Sequence, residues 1–133
     1  MIVIDASVVA ELVTRAPGAA VATERVLALR EELHAPHLLD LEVTSVLRRA
    51  VAARLASPAA AATALATLIA LPIHRHGHEE LLARIWQLRG NLTLYDAAYV
   101  ALAEALSVPL VTFDGDLARA PGNRATVELL RRP

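Results

Sequence analysis

Cysteine is absent from this chain, and with it go disulfides, thiolate zinc sites and cysteine nucleophiles. Lysine is absent too: all thirteen basic residues are arginine. That excludes any mechanism built on a lysine ammonium or Schiff base, and leaves bidentate phosphate contacts open. Aromatic residues amount to 3%, namely Trp86, Tyr95, Tyr99 and Phe113, too few for a platform on which successive bases stack. No apolar run reaches the roughly 18 residues of a membrane span; the richest stretch, Ala59 to Leu71, is heavy in alanine and closed by Pro72. No basic leader or cleavage site precedes Ile2-Val3-Ile4-Asp5, so the expectation is a cytoplasmic protein with no signal peptide and no membrane partner. A net charge of −1 argues against wholesale attraction to polyanions.

What is present is apolar. Hydrophobic residues make up 56% of the 133 and charged residues 20%, the composition of a packed globule with room for one domain, taken as residues 1–133. Ile2-Val3-Ile4 reads as a buried strand. Helices follow over Ser7 to Val13 and Ala19 to Leu33, with Pro17-Gly18 between them. Ala35-Pro36 marks a short extended link or strand, before a helix from Leu39 to Arg54. Ser57-Pro58 supplies an N-cap and a first-turn proline for a helix reaching Ala70. Leu71 to His74 reads as a strand. Next come helices from His78 to Arg89, closed by Gly90-Asn91, and from Thr93 to Leu106. Pro109 to Phe113 is a strand, Gly115 to Arg119 one helical turn, and Ala125 to Leu129 an edge strand. Short apolar strands separated by helices imply parallel pairing by right-handed crossovers, hence an α/β fold, a three-layer α/β/α sandwich.

Against that background four acidic stations stand out: Asp5, Glu42, Asp96, and Asp114 with Asp116. Each lies among apolar residues, where a carboxylate is costly to place unless its charge is compensated. Asp5 and Asp114 each follow a strand directly, so on neighbouring parallel strands both would emerge at the same edge, where ligand crevices open. Both could equally cap the helix that follows. Glu42 flanks the stripe Leu39, Val43, Val46, Leu47 and Ala50, about 40° around the helix from Val46; it could also be a solvated first-turn acid, with Asp40 nearby as a cap. Asp96 follows Thr93 by three, a capping-box spacing compatible with a second role. Asp116 is a further ligand or a turn residue. Ser7 and Thr112 lie beside the acids, where a hydroxyl can orient a carboxylate or a water. Two carboxylates ~4 Å apart repel by about 4 kcal/mol at an effective dielectric near 20, so a convergent set calls for protonation or for a hard cation such as Mg²⁺ or Mn²⁺.

The motifs carry a resemblance. Val3-Ile4-Asp5-Ala6-Ser7, Pro36 followed by Leu41-Glu42-Val43 and Val46-Leu47-Arg48, Leu94 to Ala103 around Asp96, and Leu110 to Leu117 around Asp114 resemble, in order, the four motifs of the PIN-domain family. The nearest likeness is to the VapC-like ribonuclease toxins of VapBC toxin–antitoxin pairs. Ser45 stands where that family often carries asparagine. The resemblance implies a mostly parallel sheet of about five strands and Mg²⁺- or Mn²⁺-dependent cleavage of RNA. It implies that Asp5, Glu42, Asp96 and Asp114 are catalytic and hold the metal with Asp116, with Ser7 and Thr112 in support. It also implies a homodimer and a cognate VapB-like antitoxin whose tail covers the acidic cleft, often presenting an arginine to the carboxylates.

Other readings compete. A non-catalytic acidic α/β partner-binding module, a degenerate PIN-like domain, fits if the acids do not converge. A phosphotransfer receiver needs a lysine that this chain lacks, and a dehalogenase-type phosphatase needs a second acid where Ser7 stands. His74, His76 and His78 would share a face of an extended chain, yet the default is a solvated strand-to-helix turn. Trp86 and Tyr99 are expected in the core. Arg48-Arg49 and Arg131-Arg132 are expected as exposed helix arginines or phosphate contacts.

Overall fold

A run such as Ile2-Val3-Ile4 must be buried on both faces, which only a central strand of a covered sheet provides. In the computed structural model, which describes residues 1–133 except Leu29, this run is β1 (Ile2–Ile4), buried throughout. It is joined by β2 (Leu33–Pro36), β3 (Ile73–His76), β4 (Leu110–Thr112) and β5 (Val127–Leu129). The strands lie in the order β3-β2-β1-β4-β5, every pair parallel. The order changes direction at β1, which pairs with β2 on one side and β4 on the other. Crevices open at the carboxyl ends of strands at such a switch.

The helices are α1 (Ala6–Thr14), α2 (Ala19–Ala28), α3 (Leu38–Ala52), α4 (Pro58–Ala70), α5 (Leu82–Leu88), α6 (Leu94–Leu106) and α7 (Gly115–Arg119). α1 packs on α2, α3 and α4 over one face, while α6, backed by α5, lies against β1 and β2 on the other. The result is the three-layer α/β/α arrangement expected from the strand pattern. Local signals set the boundaries. Ser57 Oγ accepts from the Ala60 amide and Thr93 Oγ1 from the Asp96 amide, each satisfying an otherwise orphaned first-turn donor. α6 ends where Ser107 turns left-handed at φ 55°. No helix among the described residues is long and apolar enough to cross a membrane.

The structure corrects several expectations. The second helix stops at Ala28 instead of running to Leu33; Arg30 is left-handed at φ 47°, and Leu33–Pro36 are wholly buried as β2. An apolar run of that length fits a helix end or a strand, and the pairing with β1 and β3 decides it. The expected helix from His78 is a 3₁₀ turn at Glu79–Leu81 followed by α5. Trp86 is 61% exposed, its ring covered from one side by the Arg89 guanidinium at 4.2 Å, while Tyr99 is buried as expected. Asp40 caps nothing; its carboxylate receives Arg75 Nε at 2.8 Å, and the α3 N-cap position is His37. Arg131 and Arg132 follow β5 outside any helix.

Candidate active site

Asp5 is the buried centre of the carboxyl-end crevice. Because β1 and β4 pair in register, with Ile4 opposite Val111, the residues after each strand are neighbours. Two hydroxyls stitch them. Ser7 Oγ donates to Asp5 Oδ1 at 2.6 Å and accepts from the Phe113 amide at 3.0 Å. Thr112 Oγ1 donates to Asp5 Oδ2 and accepts from the Asp114 amide at 2.9 Å. The Val8 amide also donates to Asp5 Oδ1, at 3.2 Å, so Asp5 caps α1 and lines the crevice together. Asp5 is 5% exposed, and both its carboxylate oxygens accept hydrogen bonds.

Three further carboxylates face it. Burial raises the Asp5 pKa above the ordinary range, against the pull of its hydrogen bonds, and the charge of Asp114 adds to the rise. Glu42, on the second turn of α3, is raised by burial and by Asp96 and Asp5, while a hydrogen bond from Tyr99 works the other way. Asp96, in the first turn of α6, is raised by burial and by Asp114. The mutual repulsions run Asp5–Asp114–Asp96–Glu42–Asp5, a closed ring drawn from β1, β4, α6 and α3. None of the four has an arginine ion pair among the described residues.

Asp116 stands outside this ring. Its side chain is 94% exposed and pairs with Arg119 at 2.9 Å; its amide donates to Asp114 Oδ1, closing the cap of α7. Capping and convergence therefore coexist. Asp5 and Asp114 cap their helices, and Asp96 sits one turn inside the Thr93 cap of α6, where the helix dipole favours negative charge.

Sequence reasoning placed Tyr99 in the core but not its hydroxyl. That hydroxyl donates to Glu42 Oε1 at 2.7 Å, and burial together with the Glu42 bond pushes the phenol pKa far up, keeping it a donor. Tyr99 lies three residues after Asp96 on α6, the helical spacing that puts both on one face; that was the available signal. Glu11 was also missed. It is buried, receives the Gly18 amide at 2.7 Å, and pairs with Arg132, whose guanidinium lies 4.6 Å over the Phe113 ring. Gly18 allows this approach: a Cβ there would meet Glu11 Oε2 at 2.7 Å. A cleft of about 710 Å³ runs from Ser7 and Glu42 past Leu38, Leu41 and Tyr95 to Arg49 and Arg132. Of the four acids only Glu42 lines it; its other charged residues are Glu11, Arg49 and Arg132, and most of the rest are apolar.

The donor set can do one kind of chemistry well. Four carboxylates offer only hard oxygen ligands, and none of them has an ion pair with an arginine among the described residues. That suits a divalent cation of the Mg²⁺ or Mn²⁺ type and does not suit one requiring nitrogen or sulfur.

Comparison with known proteins agrees in extent. The family model described as the PIN domain matches residues 2–123. Ribonuclease VapC1 of Mycobacterium tuberculosis is 45% identical over 130 residues, covering 97% of each chain. Ribonuclease VapC12 of the same organism is 40% identical over 130 residues, covering 98% of this chain and 99% of its own. Among solved structures, Mycobacterium tuberculosis VapC20, described as a sarcin-ricin loop cleaving toxin, superposes with a TM-score of 0.71 over 100% of both chains at 19% identity; this last likeness speaks to the fold.

Proposed function

The chain belongs to the PIN-domain family as a homologue of the VapC ribonuclease toxins, and from that premise we propose that it cleaves RNA at the ring formed by Asp5, Glu42, Asp96 and Asp114 with the help of Mg²⁺ or Mn²⁺. The nuclease unit is the whole of residues 1–133. The observation that carries the reading is the closed ring of four carboxylates, in which burial and a neighbour's charge raise the pKa of Asp5, Glu42 and Asp96.

Asp5, Glu42, Asp96 and Asp114 would hold the ion; Asp116, turned to solvent against Arg119, is left to close the Asp114 turn. When bound, the ion would supply charge neutralisation at the phosphodiester and a more acidic water. The chain supplies position. Ser7, Thr112 and the Val8 amide fix both oxygens of Asp5. Tyr99 aims Glu42 from the opposite side of the crevice. Arg49, which lines the cleft with Leu38 and Leu41, offers a contact for the RNA backbone.

The partners follow from the same reading. A VapB-like antitoxin would occupy the cleft and bring its own cation to the acids. A homodimer is supported by apolar side chains left exposed away from the cleft at Leu55 and Ile69, which an interface would cover. The protein would act in the cytoplasm, where its RNA is.

The test is cleavage of total RNA by purified protein, with the new ends sequenced. Chelation with EDTA should stop cleavage and Mg²⁺ or Mn²⁺ should restore it; activity that survives thorough chelation contradicts the reading.

A further inference from the structure

A second group of potential ligands lies away from the acidic crevice, at the amino ends of the strands. His34 of β2 and His74 of β3 are register partners, and Pro36 pairs with His76, so all three histidines project from one face of the sheet. That face is covered by α6: His76 shares a cleft with Leu102, Ala105 and Leu106. The acids of the crevice lie at the other end of the strands. His34 is level with Val3, two residues before Asp5, and so about 7 Å back along the strand.

His34 is the informative member. It is 7% exposed, yet its Nε2 has no hydrogen-bond partner among the described residues, Glu32 Oε2 lying beyond hydrogen-bond length at 3.6 Å. A buried imidazole nitrogen without a partner is costly. Its Nδ1 lies 2.8 Å from His76 Nε2. If Nδ1 carries the proton and donates it to His76, Nε2 becomes a lone pair aimed at Glu32, whose Oε2 is 3.6 Å away, and at His74. The His34 and His74 rings stack with centroids 4.8 Å apart and planes 19° from parallel. One ligand atom each from Glu32, His34 and His74 lies within 4.8 Å of the others. Metal-bound histidines characteristically donate their second nitrogen to a neighbour that fixes the tautomer, and His76 occupies that place.

We propose that Glu32, His34 and His74 form a binding site for a borderline transition-metal ion, Zn²⁺ in the first instance, separate from the Mg²⁺-type acidic site. Two imidazoles and one carboxylate make a donor set that favours Zn²⁺ over Mg²⁺. His34 is fixed by burial and by His76, while Glu32 and His74 are exposed. Contraction of the three atoms onto a tetrahedral shell therefore needs side-chain rotation only at the surface. Burial, then the nearby His74 and His76, lower the pKa of His34 against the upward pull of Glu32, which favours the neutral imidazole that a metal needs. The ion would pin the edge strand β3 to β2. The His76 carbonyl accepts the His37 amide at 2.8 Å immediately before α3, the helix that carries Glu42.

The experiment uses the full chain without a histidine tag, stripped of metal by chelation and then titrated with ZnCl₂ by calorimetry in excess Mg²⁺, which occupies the acidic site. Saturable binding of one Zn²⁺ per chain is expected, with a rise in melting temperature. His74→Ala and Glu32→Ala, both at exposed positions, should weaken binding at least about tenfold while leaving circular dichroism unchanged. Asp96→Asn should bind Zn²⁺ as the parent does, which separates this site from the nuclease site whatever becomes of the latter. Co²⁺ in place of Zn²⁺ should give the visible absorption of a four-coordinate nitrogen and oxygen site. Absence of Zn²⁺ binding in excess Mg²⁺, or unaltered binding in His74→Ala and Glu32→Ala, would overturn the proposal.

Discussion

Two groups of acids in this molecule have opposite surroundings. Glu104 on α6 receives Arg84 Nε at 2.6 Å and Arg84 Nη2 at 3.0 Å, and the Arg124 amide at 2.8 Å. Burial works to raise its pKa, but Arg84 and the Arg124 amide bring it below the ordinary range. At the other end of the same helix, Asp96 sits with Asp5, Glu42 and Asp114, and each of the first three is held above the ordinary range by burial and by its neighbours' charge. The chain has thirteen arginines, and among the described residues none of them forms an ion pair with these four. One end of α6 is satisfied by arginine; the other has no arginine ion pair among the described residues. That contrast is why the crevice reads as a place for a cation and the Glu104 pair as a brace.

The contrast can be broken from either side. The largest effect should come from Asp5→Asn, which keeps the shape of the side chain and removes its charge. RNA cleavage should fall by at least about a hundredfold, while circular dichroism stays that of the parent. Next, Arg84→Ala should leave Glu104 without its guanidinium and cost about 2 kcal/mol of stability in urea titration, with cleavage per folded molecule unchanged. Tyr99→Phe should be smaller again: losing the hydrogen bond to Glu42 should weaken Mn²⁺ binding about tenfold, with little change in melting temperature.

The smallest effect is a pH slope, and its sign separates the two groups. Asp5, Glu42 and Asp96 keep protons in the folded chain that the unfolded chain has already released. In metal-free buffer their contribution to stability therefore falls as pH rises above the ordinary carboxylate range. Glu104 has a lowered pKa, so its contribution is present above that range and disappears as pH falls through its folded value. Melting curves of the parent and of Asp96→Asn should show the fall with rising pH reduced in the variant, and saturating Mg²⁺ should remove it from the parent. An identical pH slope in both proteins would mean that the acids do not repel one another as described.

Much of this was legible in the sequence because its signals are local. Ile2-Val3-Ile4 and Leu110-Val111-Thr112 are short β-branched or aliphatic runs, the first followed at once by Asp5 and the second, after Phe113, by Asp114, so the meeting of the two acids at one edge follows from parallel topology. Thr93 with Asp96 and Ser57 with Pro58 mark helix starts through chemistry that acts within one turn. What was not legible depends on partners far away in the chain. Ala35-Pro36 carried a local sign of extended chain, but Leu33 and His34 join the strand because β1 and β3 flank them, a fact no local pattern holds. Trp86 could be placed inside on bulk alone, but its face of α5 looks outward and Arg89 covers it. The tie between Tyr99 and Glu42 spans two helices, and His34 meets His74 only through strand register. Asp116 shows the limit of motif reading: two residues from Asp114, it nonetheless points to solvent.

The most direct measurement is a calorimetric titration of Mn²⁺ into the metal-free parent and into Asp5→Asn, paired with RNA cleavage by the same samples. The account predicts Mn²⁺ binding by the parent that tightens as pH rises and the carboxylates shed their protons. It also predicts loss of both binding and cleavage in the variant. Parent-like Mn²⁺ affinity together with parent-like cleavage in Asp5→Asn would contradict it.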